Sequence, residues 1–263
     1  MLTLHRAALV LPDPADPAAP SYPDGAVLVR GELVEAVGPY AGLAAAHPAA
    51  RVRDWGDALL TPGLRNPYGH WLLERAYHPD PREGVGDEPV PDGLAGEQDE
   101  ARCGASARRG LQRMLGFGVT AVAGPFERAA VRTAVARSGL TVLPGGGGGA
   151  EARGAGDGAG AGVAGDGAGA GVAGDGAGAG VAGPLDPLAV LPLAGALYGR
   201  VAAGVRADFA VFASGAEGVE GHGAGPVGAD GPTGVGGPVG ADGPRVGGCR
   251  ATVLAGRLVF RRR

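Results

Sequence analysis

Three side chains between residues 70 and 78 could support metal chemistry. His70, Glu74 and His78 follow one another at intervals of four residues, and residues at this spacing share one face of a helix. Imidazole and carboxylate groups bind zinc, and a bound metal turns water into a nucleophile by lowering its pKa. Pro79 and Pro81 argue against a helix here. The sequence therefore leaves two alternatives, a metal at His70 or a histidine in an ordinary loop.

The other reactive side chains offer less. Of the chain's five histidines, His5 and His47 lie among predicted strands, and His222 lies in a Gly-rich tract. Cys103 and Cys249 are too far apart in sequence for a disulfide framework or a Cys-x-x-Cys metal site. We expect Cys103 to be a small buried residue.

Composition excludes several classes of protein. The 263 residues include 54 Gly and 22 Pro, concentrated in two tracts, and the net charge is only -4. This charge favours neither nucleic acid nor membrane as a partner, and no apolar run is long enough to span a membrane. The N-terminus shows no export signal. We expect a cytoplasmic protein.

The N-terminal part has the pattern of short strands. Apolar runs at 26–30 and 33–37, separated by Gly31-Glu32, predict a hairpin. Residues 40–46 predict one or two helical turns, and strands are expected at 51–55 and 58–60.

A helical and strand-like segment follows. The spacing of apolar residues predicts a helix over 97–115, a strand over 119–123, a helix from Pro125 to Gly139 and a strand over 140–143. The last three form one strand–helix–strand unit, which is the building block of a parallel sheet or barrel.

Two tracts consist of repeats. A nonapeptide at 155–163 recurs at 164–172 and 173–181, and an octapeptide at 225–232 recurs at 237–244. A calcium-binding β-roll would need large apolar residues that the nonapeptide lacks. Without bulky side chains to offset the entropy of ordering, both tracts are predicted to be flexible inserts.

Four sequence segments, which we call phrases, resemble segments of a known family and occur in the same order. The segment 61–70, Thr-Pro-Gly-Leu-Arg-Asn-Pro-Tyr-Gly-His, resembles the Pro-Gly-(Leu/Phe)-(Ile/Val)-Asp-x-His-x-His segment of the amidohydrolase superfamily, which includes imidazolonepropionase and aminodeoxyfutalosine deaminase. The phrases at 115–122, 197–212 and 251–260 resemble later segments of the same superfamily. In those proteins the first and last phrases belong to one composite domain built from both chain ends.

The resemblance implies a chemistry that this chain only partly matches. In the family the two histidines of the first phrase bind zinc or iron for hydrolysis of a non-peptide carbon–nitrogen bond. Here His70 matches the second of them, and Tyr68 stands at the first. Tyrosine is an unusual zinc ligand. All 23 basic residues are arginine, which excludes the family's binuclear site with its carboxylated lysine.

The predicted fold is α/β, with a composite β-sandwich formed by both chain ends and a truncated (β/α) barrel-like segment between them. The predicted domains are 1–65 and 184–263 for the sandwich, 66–144 for the reduced barrel and 145–183 for the linker, with an insert at 215–248. We expect a non-catalytic relative that binds a small molecule or protein. The alternative is an active hydrolase with a rearranged or intersubunit metal site, which would make the protein a homo-oligomer.

Overall fold

The computed structural model describes residues 1–144, 182–214 and 246–262. It contains strands and helices in alternation, and the predicted α/β class is confirmed. The strands are β1 (Leu2–Val10), β2 (Tyr22–Arg30), β3 (Leu33–Pro39), β4 (Arg51–Asp54), β5 (Ala58–Pro62), β6 (Leu64–Asn66), β7 (Val119–Ala123), β8 (Thr141–Leu143), β9 (Phe209–Ser214), β10 (Val246–Leu254) and β11 (Arg257–Arg261). The helices are α1 (Tyr40–Ala46), α2 (Gly69–Glu74), α3 (Glu100–Leu115), α4 (Ala129–Ser138) and α5 (Leu193–Ala196).

Both ends of the chain contribute to one large sheet. Its strand order is β11-β10-β9-β5-β1-β2-β3, and β4 also pairs with β1. Successive strand residues point to opposite faces, so Val27 and Val29 enter one apolar cluster while Leu28 enters another beside Leu43 of α1. The predicted β2–β3 hairpin is confirmed, and β10 and β11 form a second hairpin. In the second hairpin, Gly256 has a positive φ of 71°.

A second, smaller sheet is formed entirely of parallel strands. Its order is β6-β7-β8, and the predicted strand–helix–strand unit is β7-α4-β8. The predicted start of this helix at Pro125 is wrong, because α4 begins at Ala129. Helix α3 begins after Asp99, whose carboxylate accepts hydrogen bonds from the backbone N–H groups of Ala101 and Arg102, the usual arrangement at a helix N-terminus.

The two sheets share one apolar core. It combines residues of the small sheet, such as Leu64 and Val119, with Ala210 and Phe212 of the large one. Gly118 allows the close approach, because a Cβ at this position would lie 2.9 Å from the Phe212 ring. A buried hydrogen bond of 2.6 Å, from the Thr252 hydroxyl to the Leu115 carbonyl, crosses the same junction.

The predicted flexible inserts at 145–183 and 215–248 lie almost wholly outside the described residues. Within those described residues, no helix is long and apolar enough to cross a membrane.

Candidate functional site

The residues of the His70 segment lie where two parallel strands end. Strand β6 ends at Asn66 and leads into Tyr68 and α2, and β7 ends at Ala123, two residues before Pro125. Because neighbouring parallel strands have their carboxyl ends at the same edge, these segments meet there, and such edges are common binding sites in α/β proteins. We call this edge the strand-end site.

His70 keeps one ring nitrogen free to bind. Its Nδ1 lies 2.7 Å from the Pro125 carbonyl oxygen. A carbonyl can only accept, so Nδ1 carries the proton and Nε2 is left as the acceptor. Histidine ligands of metals usually donate their second nitrogen in this way. The side chain is 16 % exposed. This one residue therefore fits a metal-ligand role.

Glu74 has a different task. Its Oε1 accepts hydrogen bonds from the backbone N–H groups of Glu127 at 2.5 Å and Arg128 at 2.8 Å. These two residues immediately precede α4, so the buried carboxylate satisfies backbone donors at the entry to a helix, where negative charge is favoured. Its Oε2 lies 3.8 Å from His70 Nδ1, which is too far for a hydrogen bond.

Asn66 and Tyr68 contact residues 183–185, which belong to the segment that leads back to the large sheet. We call this segment the returning chain. The fully buried Asn66 amide donates to the carbonyls of Pro184 at 3.1 Å and Leu185 at 3.0 Å, and its oxygen accepts from the Tyr68 backbone N–H at 2.9 Å. Gly183 lies against the Tyr68 ring, where a Cβ would come within 2.1 Å of Cγ. Tyr68, which the resemblance aligns with a metal-binding histidine, is therefore in contact with the returning chain.

His78 is fully buried against helix α3. Helix α2 ends at Glu74, so Glu74 and His78 do not share a helical face, as Pro79 and Pro81 indicated. The fully buried His78 ring places Nε2 2.8 Å from the Leu72 carbonyl oxygen and packs against Gly110. Burial and, to a smaller extent, the charges of Arg113 and Arg109 lower the pKa of His78 to about 4, against the opposing effect of its hydrogen bond to the Leu72 carbonyl.

The donors at the strand-end site do not fit a catalytic metal. Among the described residues, no group of three or more His, Cys, Asp or Glu side chains comes together. A zinc site needs three or four protein ligands. His70 offers one free nitrogen, Glu74 serves α4, and Asn66 serves the returning chain. The metal at His70 thus remains a prediction with no partner ligand in the described part of the chain.

The structure also contains a cleft beside helix α3 that the sequence did not predict. It has a volume of about 900 Å³ and is bordered by α2, α3, the returning segment 183–186 and the end of β11. Its walls come from segments far apart in sequence. The one local signal was the pair Arg109 and Arg113, which share a face of α3 because they are four residues apart. We call it the arginine cleft.

Comparison with known proteins identifies the N-terminal part of the large sheet. Residues 25–50 match the family model described as imidazolonepropionase-like composite domain, bacteria. They comprise most of β2, all of β3 and all of α1. The chain carries an imidazolonepropionase-like composite-domain segment. The predicted resemblance is thereby confirmed.

Relatives of this composite-domain segment are longer proteins. The imidazolonepropionase of Pyrobaculum arsenaticum is 41% identical over 50 residues, which are 19% of this chain and 13% of the relative. Guanine deaminase from Bradyrhizobium japonicum is a similar solved structure, with 20% identity, a TM-score of 0.42 and coverage of 55% of this chain and 35% of its own. An adenosine deaminase from Xanthomonas campestris with bound zinc has 23% identity and a TM-score of 0.36, covering 54% and 33%. The chain thus spans about a third of each solved structure.

Proposed function

We propose that this chain is a non-catalytic relative of the metal-dependent carbon–nitrogen hydrolases and acts by binding a small molecule or protein partner in the cytoplasm. In this proposal, 1–65 and 184–263 make a composite β-sandwich, and 66–144 is a reduced barrel that contains the parallel strands β7 and β8 and begins at the end of β6. The two cysteines are free and buried, which agrees with a reducing compartment.

One observation carries the proposal. In the segment that binds metal in the family, the side chains of this chain contact the protein backbone. Asn66 binds the carbonyls of Pro184 and Leu185, and Gly183 covers Tyr68. Freeing Asn66 for a ligand would leave two carbonyls without these partners, which costs free energy when such groups are buried. Selection for catalysis would keep these positions open to substrate, whereas selection for folding accounts for their present contacts.

A second candidate function rests on the tautomer of His70. The Nδ1 bond to the Pro125 carbonyl leaves Nε2 available, as an active hydrolase would need. The remaining ligands would then come from a second copy of the chain, in a homo-oligomer with zinc or iron.

Metal analysis separates the two. The full chain is expressed with added zinc, iron and manganese, purified without chelators and measured by plasma mass spectrometry beside His70→Ala and the control His47→Ala. We expect less than about a tenth of an equivalent of metal in all three, since one histidine cannot retain zinc. Stoichiometric metal that is lost in His70→Ala and kept in His47→Ala would overturn the non-catalytic assignment.

A further inference from the structure

The arginine cleft has the size and apolar lining of a small-molecule site. Its volume of about 900 Å³ lies within the range usual for such sites. Three aromatic rings contribute to the lining, Trp71 from α2, Phe117 after α3 and Phe260 from β11. The cleft adjoins the strand-end site through residues 183–185, but His70 is not among its lining residues.

Arg113 brings an uncommitted positive charge to one wall. It lies in the last turn of α3, and its side chain makes no hydrogen bond within the described part of the chain. Its Nη1 is buried and has no partner among the described residues, and its Nη2 lies 3.6 Å from the carboxylate of Asp87, which is 84% exposed. A guanidinium group stays charged and offers paired donors that match a carboxylate. A ligand carboxylate would give these donors the partners that they lack.

Asp186 brings a negative charge to another wall. Its Oδ1 accepts a hydrogen bond from the Leu188 backbone N–H at 2.9 Å. Among the described residues, Oδ2 has no hydrogen-bond donor and no ion pair joins Asp186 to an arginine. Burial raises the pKa of this carboxyl group, and a cationic ligand would stabilise its charged form.

The remaining charged groups of the cleft are committed or exposed. Arg109 donates from Nε to the His78 carbonyl at 2.7 Å and lies 3.6 Å from Asp80. Opposite charges are balanced in number along the lining, which argues against a polyanion. The arginines are Arg109, Arg113 and Arg262, and the carboxylates are Asp87, Glu88 and Asp186.

We infer that the arginine cleft binds a free aromatic amino acid. Its carboxylate pairs with Arg113, its ammonium group pairs with Asp186, and its ring packs among Trp71, Phe117 and Phe260. This inference rests on the binding role proposed above and names the class of ligand. A cleft lined by an arginine, a carboxylate and aromatic rings suits a zwitterion with an aromatic side chain better than a simple acid or amine.

The test compares three ligands that differ by one charged group. Binding of L-phenylalanine, 3-phenylpropionate and phenethylamine to the metal-free full chain is measured by calorimetry. We expect saturable binding of L-phenylalanine with a Kd below about 1 mM, and binding at least about tenfold weaker for the other two, since each loses one charge-assisted pair.

Variants assign each charge to its partner. Arg113→Met should weaken L-phenylalanine binding at least about tenfold and leave phenethylamine unaffected. Asp186→Asn retains an acceptor for the Leu188 N–H, and should weaken L-phenylalanine but not 3-phenylpropionate. Arg108→Met, a change at an exposed arginine of the same helix, should change nothing. Arg113→Lys keeps the charge without the planar fork and should give an intermediate loss.

Several results would overturn the inference. They are the absence of saturable L-phenylalanine binding to the folded chain, equal binding of all three ligands, or an equal loss in Arg108→Met and Arg113→Met. Each of these outcomes leaves the non-catalytic assignment in place, because that assignment is tested by metal content at His70, outside the cleft. Stoichiometric metal at His70 would instead overturn the non-catalytic assignment without reference to the cleft.

Discussion

At the scale of the residue, the chemical type of a side chain in this protein does not predict the contacts that the side chain makes. The positions of His70 and Glu74 could be selected from the sequence, because metal-binding side chains at regular spacing are visible there. The structural roles of these two side chains could not be predicted, because their hydrogen-bond partners lie far away in the sequence. The amides that Glu74 accepts from belong to Glu127 and Arg128, 53 and 54 residues later, and the carbonyls that Asn66 binds lie beyond the repeat tract.

The buried imidazole of His5 predicts a loss of stability in mild acid. Both ring nitrogens lack hydrogen-bond partners within the described residues, and the ring is edge-on to Phe209. Burial and, to a smaller extent, the charge of Arg53 lower the pKa of His5 to about 3. The unfolded chain, with a histidine pKa of about 6.5, binds a proton that the folded chain does not. Stability is therefore complete above pH 6.5 and falls as the pH drops toward 3.

Replacement of His5 by Leu should flatten this dependence. Each such histidine contributes a slope of at most about 1.4 kcal/mol per pH unit, and His78 contributes in the same direction. The unfolding free energy, measured in urea between pH 7.5 and 5, should therefore fall less steeply in His5→Leu than in the unaltered chain. His47→Leu, at a partly exposed histidine, is the control and should retain the original slope. An unchanged slope in His5→Leu would show that His5 does not cause the effect.

At the scale of the element, local signals predicted strands and hairpins well. The turn at Gly31-Glu32 and the apolar runs beside it identify β2 and β3 because both signals lie within a dozen residues. The start of α4 was predicted four residues too early. Proline is favourable in the first turn of a helix, but Glu74 accepts from the N–H groups of Glu127 and Arg128. This carboxylate, which is distant in sequence, stabilises a helix that starts at Ala129 and not at Pro125. No residue close to Ala129 in the sequence indicates this start.

Removal of this carboxylate should destabilise the small sheet and its helices. Glu74→Ala would leave the N–H groups of two part-buried hydrogen bonds without their acceptor and should lower the free energy of unfolding by about 2 kcal/mol. Glu74→Gln keeps an acceptor oxygen and should lose about half as much. Urea titration followed by circular dichroism measures both changes.

Glu100 provides a matched control for Glu74. Its exposed carboxylate accepts one hydrogen bond, at 3.0 Å, from the Ala130 N–H of the same helix. Solvent can replace that acceptor, so Glu100→Ala should cost less than about 1 kcal/mol. Equal losses in Glu74→Ala and Glu100→Ala would contradict the role of burial in this argument.

At the scale of the whole molecule, the two sheets are parts of one folding unit. Their shared core contains Leu64 and Val119 from one sheet and Phe212 and Leu254 from the other. The order of the four family phrases predicted that the chain ends would meet. Sequence did not predict how closely the small sheet packs on the large one, because that depends on a three-dimensional contact at Gly118.

The two tryptophans can be used to test whether the two sheets unfold as one unit. Trp55 packs against the core of the large sheet, and Trp71 of α2 lies in the shared core. Trp71→Phe and Trp55→Phe therefore each leave one local fluorescence reporter. Within each variant, the urea midpoints from fluorescence and from circular dichroism should coincide, as expected for two-state unfolding. Separate midpoints would show that the sheets unfold independently.

A change at the junction should then move both reporters together. Gly118 has a φ of 86°, and an added Cβ would lie 2.9 Å from the Phe212 ring and 3.0 Å from the Ala210 side chain. Gly118→Ala should therefore lower the free energy of unfolding by about 1–3 kcal/mol, from backbone strain and crowding. Gly42→Ala is the control, because a Cβ there meets nothing within 4 Å. If the sheets fold as one, Gly118→Ala shifts the Trp55 and Trp71 midpoints equally; a shift confined to Trp71 would mean that the large sheet is stable without the small one.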